Sequence, residues 1–196
     1  MQSNITMTGD IDQLVAKAKA GDRAAFDDLV RSTYTETYTL ALRLTNNSED
    51  AADVVQDTYL RAFRSLPNFR GDSQFTTWLY RITANCASTY MGKRSRHRHE
   101  DLDEQTPFPA DITQGPEAKA DAALDRRELS EALAKLPPNL RSVIVLRDIY
   151  DLPHEAIARE LGISEVTAKV RLHRARKKLR DQLLPSTNEV KSAHAV

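Results

Sequence analysis

From Asp10 to about Arg98 the apolar residues recur at threes and fours. Leu14, Val15, Ala18, Phe26, Leu29, Val30, Tyr34, Tyr38, Ala41 and Leu42 carry the pattern through its first half, which is the spacing of helices with one buried face. Gly21-Asp22 interrupts it, with Asp22 placed to cap the helix that follows. Asn46-Asn47-Ser48 interrupts it again, and Ser48 is expected to cap the helix EDAADVVQDTYLRAF. Pro67 and Gly71 mark the next boundary. A further helix is expected to begin between Ser73 and Thr77 and to run into KRSRHRH. Residues 99–120 hold Pro107, Pro109, Gly115, Pro116 and many acids but no period, and read as a linker. Helical spacing resumes near Asp121, halts at Pro137-Pro138, and continues through NLRSVIVLRDIY, HEAIAREL and a basic helix from Glu165 to about Leu183. The pattern predicts an all-α protein. Two small helical domains, 1–98 and 121–184, are joined by a flexible acidic linker, 99–120, and followed by a disordered tail, 185–196.

Composition sharpens this reading. The chain has 196 residues, 40% hydrophobic and 29% charged, enough to bury a core and stay in solution. No apolar run approaches the ~20 residues that span a bilayer, and MQSNITMTGDIDQ lacks the profile of a signal peptide. Cys86 is the only cysteine, so no internal disulfide can form. A cytoplasmic location without membrane insertion is the expectation. The formal net charge is zero, but the charges are segregated. Residues 1–60 carry 5 basic against 10 acidic groups, 61–98 carry 8 against 1, 100–131 carry 3 against 10, and 132–196 carry 12 against 7. Two basic blocks divided by an acidic one suit two contacts with a polyanion.

The second basic block has the form of a helix-turn-helix. His154 to Leu161 presents Ala156, Ile157 and Leu161 on one face, Gly162 stands where helices end in a left-handed residue, and Ser164 can cap the next helix. In that helix Ala168, Leu172, Ala175 and Leu179 share a face. Glu165, Lys169, His173 and Arg176 share another, with Arg171, Arg174, Lys177, Lys178 and Arg180 beside it. A helix that reads the major groove needs this division, because its leading side chains meet base edges and its later cations meet phosphates.

The first basic block contains NFRGDSQFTTWLYRITAN, with the only Trp of a chain that is just 6% aromatic. Leu79, Ile82, Cys86 and Tyr90 form an apolar stripe, which makes Cys86 a small buried hydrophobe. Trp78, Arg81 and Asn85 fall on the other face. Rings, cations and a carboxamide in that order can stack and hold unpaired bases. They can equally belong to a core, and spacing alone leaves both readings open.

Enzymatic chemistry finds little support. His97 and His99 lie in a basic tail, His154 opens a helix with no second ligand four residues on, and no phosphate loop or hydrolase motif is present. Neither a metal nor a cofactor is expected.

Together, FRGDSQFTTWLYRITAN, the earlier DAADVVQDTYLRAF and LPPNLRSVIVLRDIYDLPHEAIARELGISEVTAKVRLHRARKKL resemble bacterial RNA polymerase sigma factors of the extracytoplasmic-function (ECF) group. The resemblance covers about residues 10–184. It implies that Asp53, Gln56, Asp57 and Arg61 grip core RNA polymerase, with Asp57 where the family more often has Glu. It implies that Phe69, Arg70 and Asp72 in the loop to Phe75, with Trp78, Arg81, Asn85, Lys93 and Arg94, capture and melt the promoter −10 element. Thr167, Lys169, Arg171, His173, Arg174 and Lys177 would then read the −35 element. Val170 stands where the family often has a hydroxyl, so the −35 preference of relatives does not transfer. The acidic linker matches a segment that threads towards the polymerase's RNA exit path, and an anti-sigma factor is expected as a partner. The alternative is a stand-alone helix-turn-helix regulator, which explains residues 132–184 and leaves the aromatic stretch unexplained.

Overall fold

The computed structural model describes residues 3–97 and 120–183, every element of which is helical. Most of the expected linker and the tail lie outside the described residues, as do the side chains of Lys93 and Arg94. Helices α1 (Ser3–Lys19), α2 (Arg23–Thr45), α3 (Ser48–Ser65) and α4 (Phe75–His97) form the first unit; a 3-10 turn, Leu66–Asn68, leads from α3 towards the loop before α4. The second unit comprises α5 (Ala120–Ala134), α6 (Pro138–Ile144), α7 (His154–Leu161) and α8 (Glu165–Leu183). A widened π turn, Val145–Ile149, extends α6.

The caps explain where the chain turns. The Asp22 carboxylate accepts a hydrogen bond from the Ala25 N–H at 3.2 Å, satisfying a donor that the first turn of α2 leaves free. Before α3 the cap is Asn47 rather than the expected Ser48. Asn47 has an extended backbone, its side-chain oxygen accepts from the Asp50 N–H at 2.9 Å, and Ser48 is already helical. Asn46 closes α2 in the left-handed conformation (φ 58°), donating its N–H to the Leu42 carbonyl at 2.8 Å, a conformation that asparagine tolerates better than most residues.

Two apolar clusters hold the helices together. One joins Val15 of α1, Phe26 and Leu29 of α2, Ala62 and Leu66, and Phe75 and Leu79 of α4. The other crosses between the units: Leu40, Leu42 and Leu44 of α2, Val54 of α3, and Ala84, Cys86 and Ala87 of α4 are continuous with Leu136, Val143, Leu146, Leu152, Ile157, Ala168 and Leu172. Fully burying a leucine or isoleucine contributes about 1.5–3 kcal/mol. The shared core therefore binds the two units through many such side chains.

Specific polar contacts line this seam. Tyr80 of α4 and Tyr150, just past the π turn, pack edge to face with centroids 4.8 Å apart. Arg43 of α2 donates to the Tyr150 hydroxyl at 3.2 Å. Arg141 is 5% exposed and donates to the carbonyls of Ala134 at 3.1 Å and Leu44 at 3.3 Å. Those carbonyls close α5 and α2, where the negative ends of two helix dipoles favour a cation. Burial lowers the Arg141 pKa to about 10, which still leaves it charged at neutral pH.

Candidate nucleic-acid interface

The turn between α7 and α8 is built by the local sequence. Gly162 adopts φ 63°, ψ 37°, its N–H pointing to the Ala158 and Arg159 carbonyls, and Ile163 donates to the Ala158 carbonyl at 2.9 Å. This is the paired closure that a left-handed residue permits at a helix end. The Ser164 hydroxyl then accepts from the Thr167 N–H at 3.1 Å and starts α8. Ala168, Leu172 and Ala175 are buried, with Leu179 packed partly against the same core. Lys169, His173, Arg174 and Lys177 are exposed on the outside, with Thr167 and Arg171 half-buried beside them.

Two ion pairs sort the cations of α8. Arg176 forms a two-pronged contact with Asp148 of the π turn, at 2.9 and 2.6 Å, and so ties α8 to α6. Lys169 pairs with Glu165 one turn earlier at 2.8 Å, and that hydrogen bond and charge hold the Glu165 carboxyl below its ordinary range. Lys169 remains on the outer face, whereas Arg176 serves the fold.

The aromatic stretch is neither a plain core nor an open platform. Phe69 lies 4.9 Å from Trp78 and 6.1 Å from Phe75, and Phe75 lies 5.6 Å from Trp78. Phe75 is buried, whereas Phe69 and Trp78 are half-buried. Phe75 thus anchors the ring cluster to Leu66 and Leu79 while the other two keep part of their surface in solvent. Gly71 takes φ 79° in the loop, beside an exposed Arg70–Asp72 ion pair at 2.7 Å.

Along α4, Asn85 accepts from Arg61 of α3 at 2.9 Å, so a residue assigned by resemblance to DNA touches one assigned to polymerase. Arg81 is turned to the second unit, donating to Glu160 of α7 at 3.2 Å with the two side chains 29% and 14% exposed. Burial raises the Glu160 carboxyl pKa, opposed by the adjoining Arg159.

On α3, Asp53, Gln56, Asp57 and Arg61 are all exposed and follow one helical face. Asp53 accepts from the Tyr90 hydroxyl at 3.2 Å. Leu60 and Phe63 stand out of the same helix, 48% and 49% exposed. Sequence reasoning missed both, although Leu60 continues the spacing of Asp53, Gln56 and Asp57. It also missed Tyr150 and Glu160, whose partners lie far away in the chain.

Cys86 is buried, and burial raises its thiol pKa. Among the described residues no three His, Cys, Asp or Glu side chains are grouped to hold a metal ion, and no helix is long and apolar enough to cross a membrane.

Residues 29–97 match the family Sigma-70 region 2, and residues 126–179 match Sigma-70, region 4. The chain is 35% identical over 186 residues to the RNA polymerase sigma-H factor of Pseudomonas aeruginosa, covering 90% of this chain and 95% of that one. It is 39% identical over 173 residues to the ECF RNA polymerase sigma factor SigE of Mycolicibacterium smegmatis, covering 86% of this chain and 66% of that one. Among solved structures it resembles the sigma factor RpoE of Bartonella quintana in complex with the anti-sigma factor NepR. That likeness has a TM-score of 0.61 at 25% identity and covers 81% of this chain and 96% of that one. It also resembles CnrH in complex with the cytosolic domain of CnrY, with a TM-score of 0.54 at 27% identity, covering 95% and 99%.

Proposed function

Because the chain belongs to the ECF group of bacterial RNA polymerase sigma factors, we propose a division of labour among its exposed faces. The α3 face bearing Asp53, Gln56, Asp57 and Arg61 docks on core polymerase. The loop 69–75 and α4 hold unpaired bases of the −10 element, and α8 enters the major groove at the −35 element. A sigma factor directs promoter-specific initiation and is not itself an enzyme; the phosphoryl chemistry belongs to the polymerase.

The observation that carries this reading is the order of three surfaces in one chain: an acidic helix face, a half-exposed ring cluster two helical turns before Asn85 on α4, and a capped helix-turn-helix with cations outward. Phe69 and Trp78 offer faces for base stacking, and Asn85 offers a carboxamide for a pairing edge. A stand-alone regulator would have no use for the first two surfaces. Gel filtration with core polymerase, followed by transcription from a randomised promoter library, tests the proposal. Co-elution and selection of a two-element promoter are expected, and failure to bind core polymerase would overturn it.

The packed arrangement also implies a step. Elements labelled −35 and −10 lie about 25 base pairs apart, roughly 85 Å at ~3.4 Å per pair. A compact body of this chain's length is only about 40 Å across. Reading both elements at once therefore requires the seam at Tyr80–Tyr150 and Arg81–Glu160 to part, which releases Arg81 for phosphate. The acidic segment 99–120 has the length and charge to follow a basic channel in the polymerase while joining the separated units. Neutralising its carboxylates should alter promoter escape. A protein that holds the units together would act as an inhibitor, and an anti-sigma factor is the partner of that kind proposed here. Work at a promoter places the protein in the cytoplasm.

A further inference from the structure

The outermost line of α8 is partly aliphatic. With Ala168, Leu172 and Ala175 inward, the helical turn of about 100° per residue puts Val166, Val170, His173 and Lys177 opposite the core. Val166 is 71% exposed and Val170 is 44% exposed. Neither packs inside the protein, and neither is placed for helix propensity, since β-branched valine is a poorer helix former than the lysines and arginines around it. They lie one turn apart in the N-terminal half of the helix, the part of a recognition helix that approaches base edges.

What covers them follows from their setting. Lys169, Arg174 and Lys177 are exposed on the same outer surface, so the occupant carries dense negative charge and also an apolar feature. Duplex DNA meets both conditions through one group in its major groove, the C5 methyl of thymine. We propose that Val166 and Val170 read thymine methyl groups in the −35 element and are sequence-specifying residues of this protein. This rests on the assignment of α8 to the −35 duplex. The two side chains are about 6 Å apart along the axis, so the thymines fall within about two base-pair steps of each other.

The test uses the full chain bound to core polymerase and a promoter selected from the randomised library. Each −35 thymine is replaced in turn by deoxyuridine, which removes only the methyl group. Binding is then measured for the unaltered protein, Val166→Ala and Val170→Ala. One or two deoxyuridine substitutions should weaken binding by the unaltered protein about fourfold each, the worth of one buried methyl. The matching alanine variant should bind the thymine promoter about as weakly and be indifferent to deoxyuridine. If the unaltered protein tolerates every deoxyuridine within twofold, the valines face a protein partner instead and the proposal fails. If no promoter is selected at all, the sigma-factor division of labour fails first and takes this proposal with it.

Discussion

Replacing Tyr150 by phenylalanine tests the seam in two opposed directions. The ring keeps its edge-to-face contact with Tyr80 but loses the hydrogen bond from Arg43, worth about 1 kcal/mol in a half-buried setting. Tyr150→Ala also removes the ring and should cost about 3 kcal/mol. Urea unfolding at pH 7, followed by circular dichroism, should report both losses. The pH dependence carries a further signature. Burial raises the Tyr150 pKa to about 12, with Arg43 opposing and Glu36 assisting, against about 10 in an unfolded chain. The neutral phenol is thus favoured by the fold. Its contribution is complete below pH ~10 and is lost as pH rises through ~12, amounting to about 1–2 kcal/mol near pH 11.5. Tyr90, also raised to about 12 by burial and by Asp50 and Asp53, titrates in both proteins and cancels in the difference. Tyr150→Phe should therefore begin less stable than the unaltered protein at pH 7 and close the gap at high pH.

Promoter binding should move the other way. If the packed form predominates and only the parted form spans both elements, weakening the seam by about 1 kcal/mol raises the competent fraction roughly fivefold. The apparent promoter affinity then tightens by the same factor. Two outcomes would refute the reasoning: parallel stability curves for Tyr150→Phe and the unaltered protein across pH 7–11.5, or loss of stability with no gain in promoter binding.

Three other substitutions separate the surfaces. Asn85→Ala should slow promoter opening about tenfold, equivalent to one hydrogen bond to a base edge at ~1.5 kcal/mol, while changing core-polymerase affinity less than twofold. Permanganate reactivity of the −10 thymines and fluorescence anisotropy measure the two effects. Asp53→Ala with Asp57→Ala should weaken core binding about five- to tenfold and flatten its salt dependence, at a small stability cost of about 0.5–1 kcal/mol from the lost, exposed Tyr90–Asp53 hydrogen bond. Gly162→Ala should lower the melting temperature by about 3 °C. A Cβ there meets nothing within 4 Å, so only the left-handed strain of about 1 kcal/mol is added; Gly162→Asn should cost less.

The helices and most of their boundaries were legible because the signals are local, although α1 begins at Ser3, seven residues before the expected start at Asp10. Asp22, Gly162 and Ser164 each act on backbone groups within four residues, and the periodic apolar positions needed only a neighbouring helix to bury them. The misplaced cap at Ser48 shows where local reading runs out: Asn46, Asn47 and Ser48 can all accept from a free N–H, and only the backbone conformation selects Asn47. The seam was not legible at all. Arg43–Tyr150, Leu44–Arg141 and Arg81–Glu160 join residues 107, 97 and 79 positions apart, and no period records such pairings. This limit bears on the functional residues most of all. Arg81 and Asn85 lie on the face expected to meet nucleic acid, yet each has a partner within the chain, the Glu160 carboxylate and the Arg61 guanidinium. A half-buried cation left without an acceptor would destabilise the packed form. Glu160 supplies that acceptor in the packed form; under the proposed function a promoter phosphate would take its place, exchanging one anion for another at modest net cost. Under that proposal the same Arg81 side chain would stabilise the closed protein through Glu160 and serve the parted one through phosphate, a double use that spacing alone does not record.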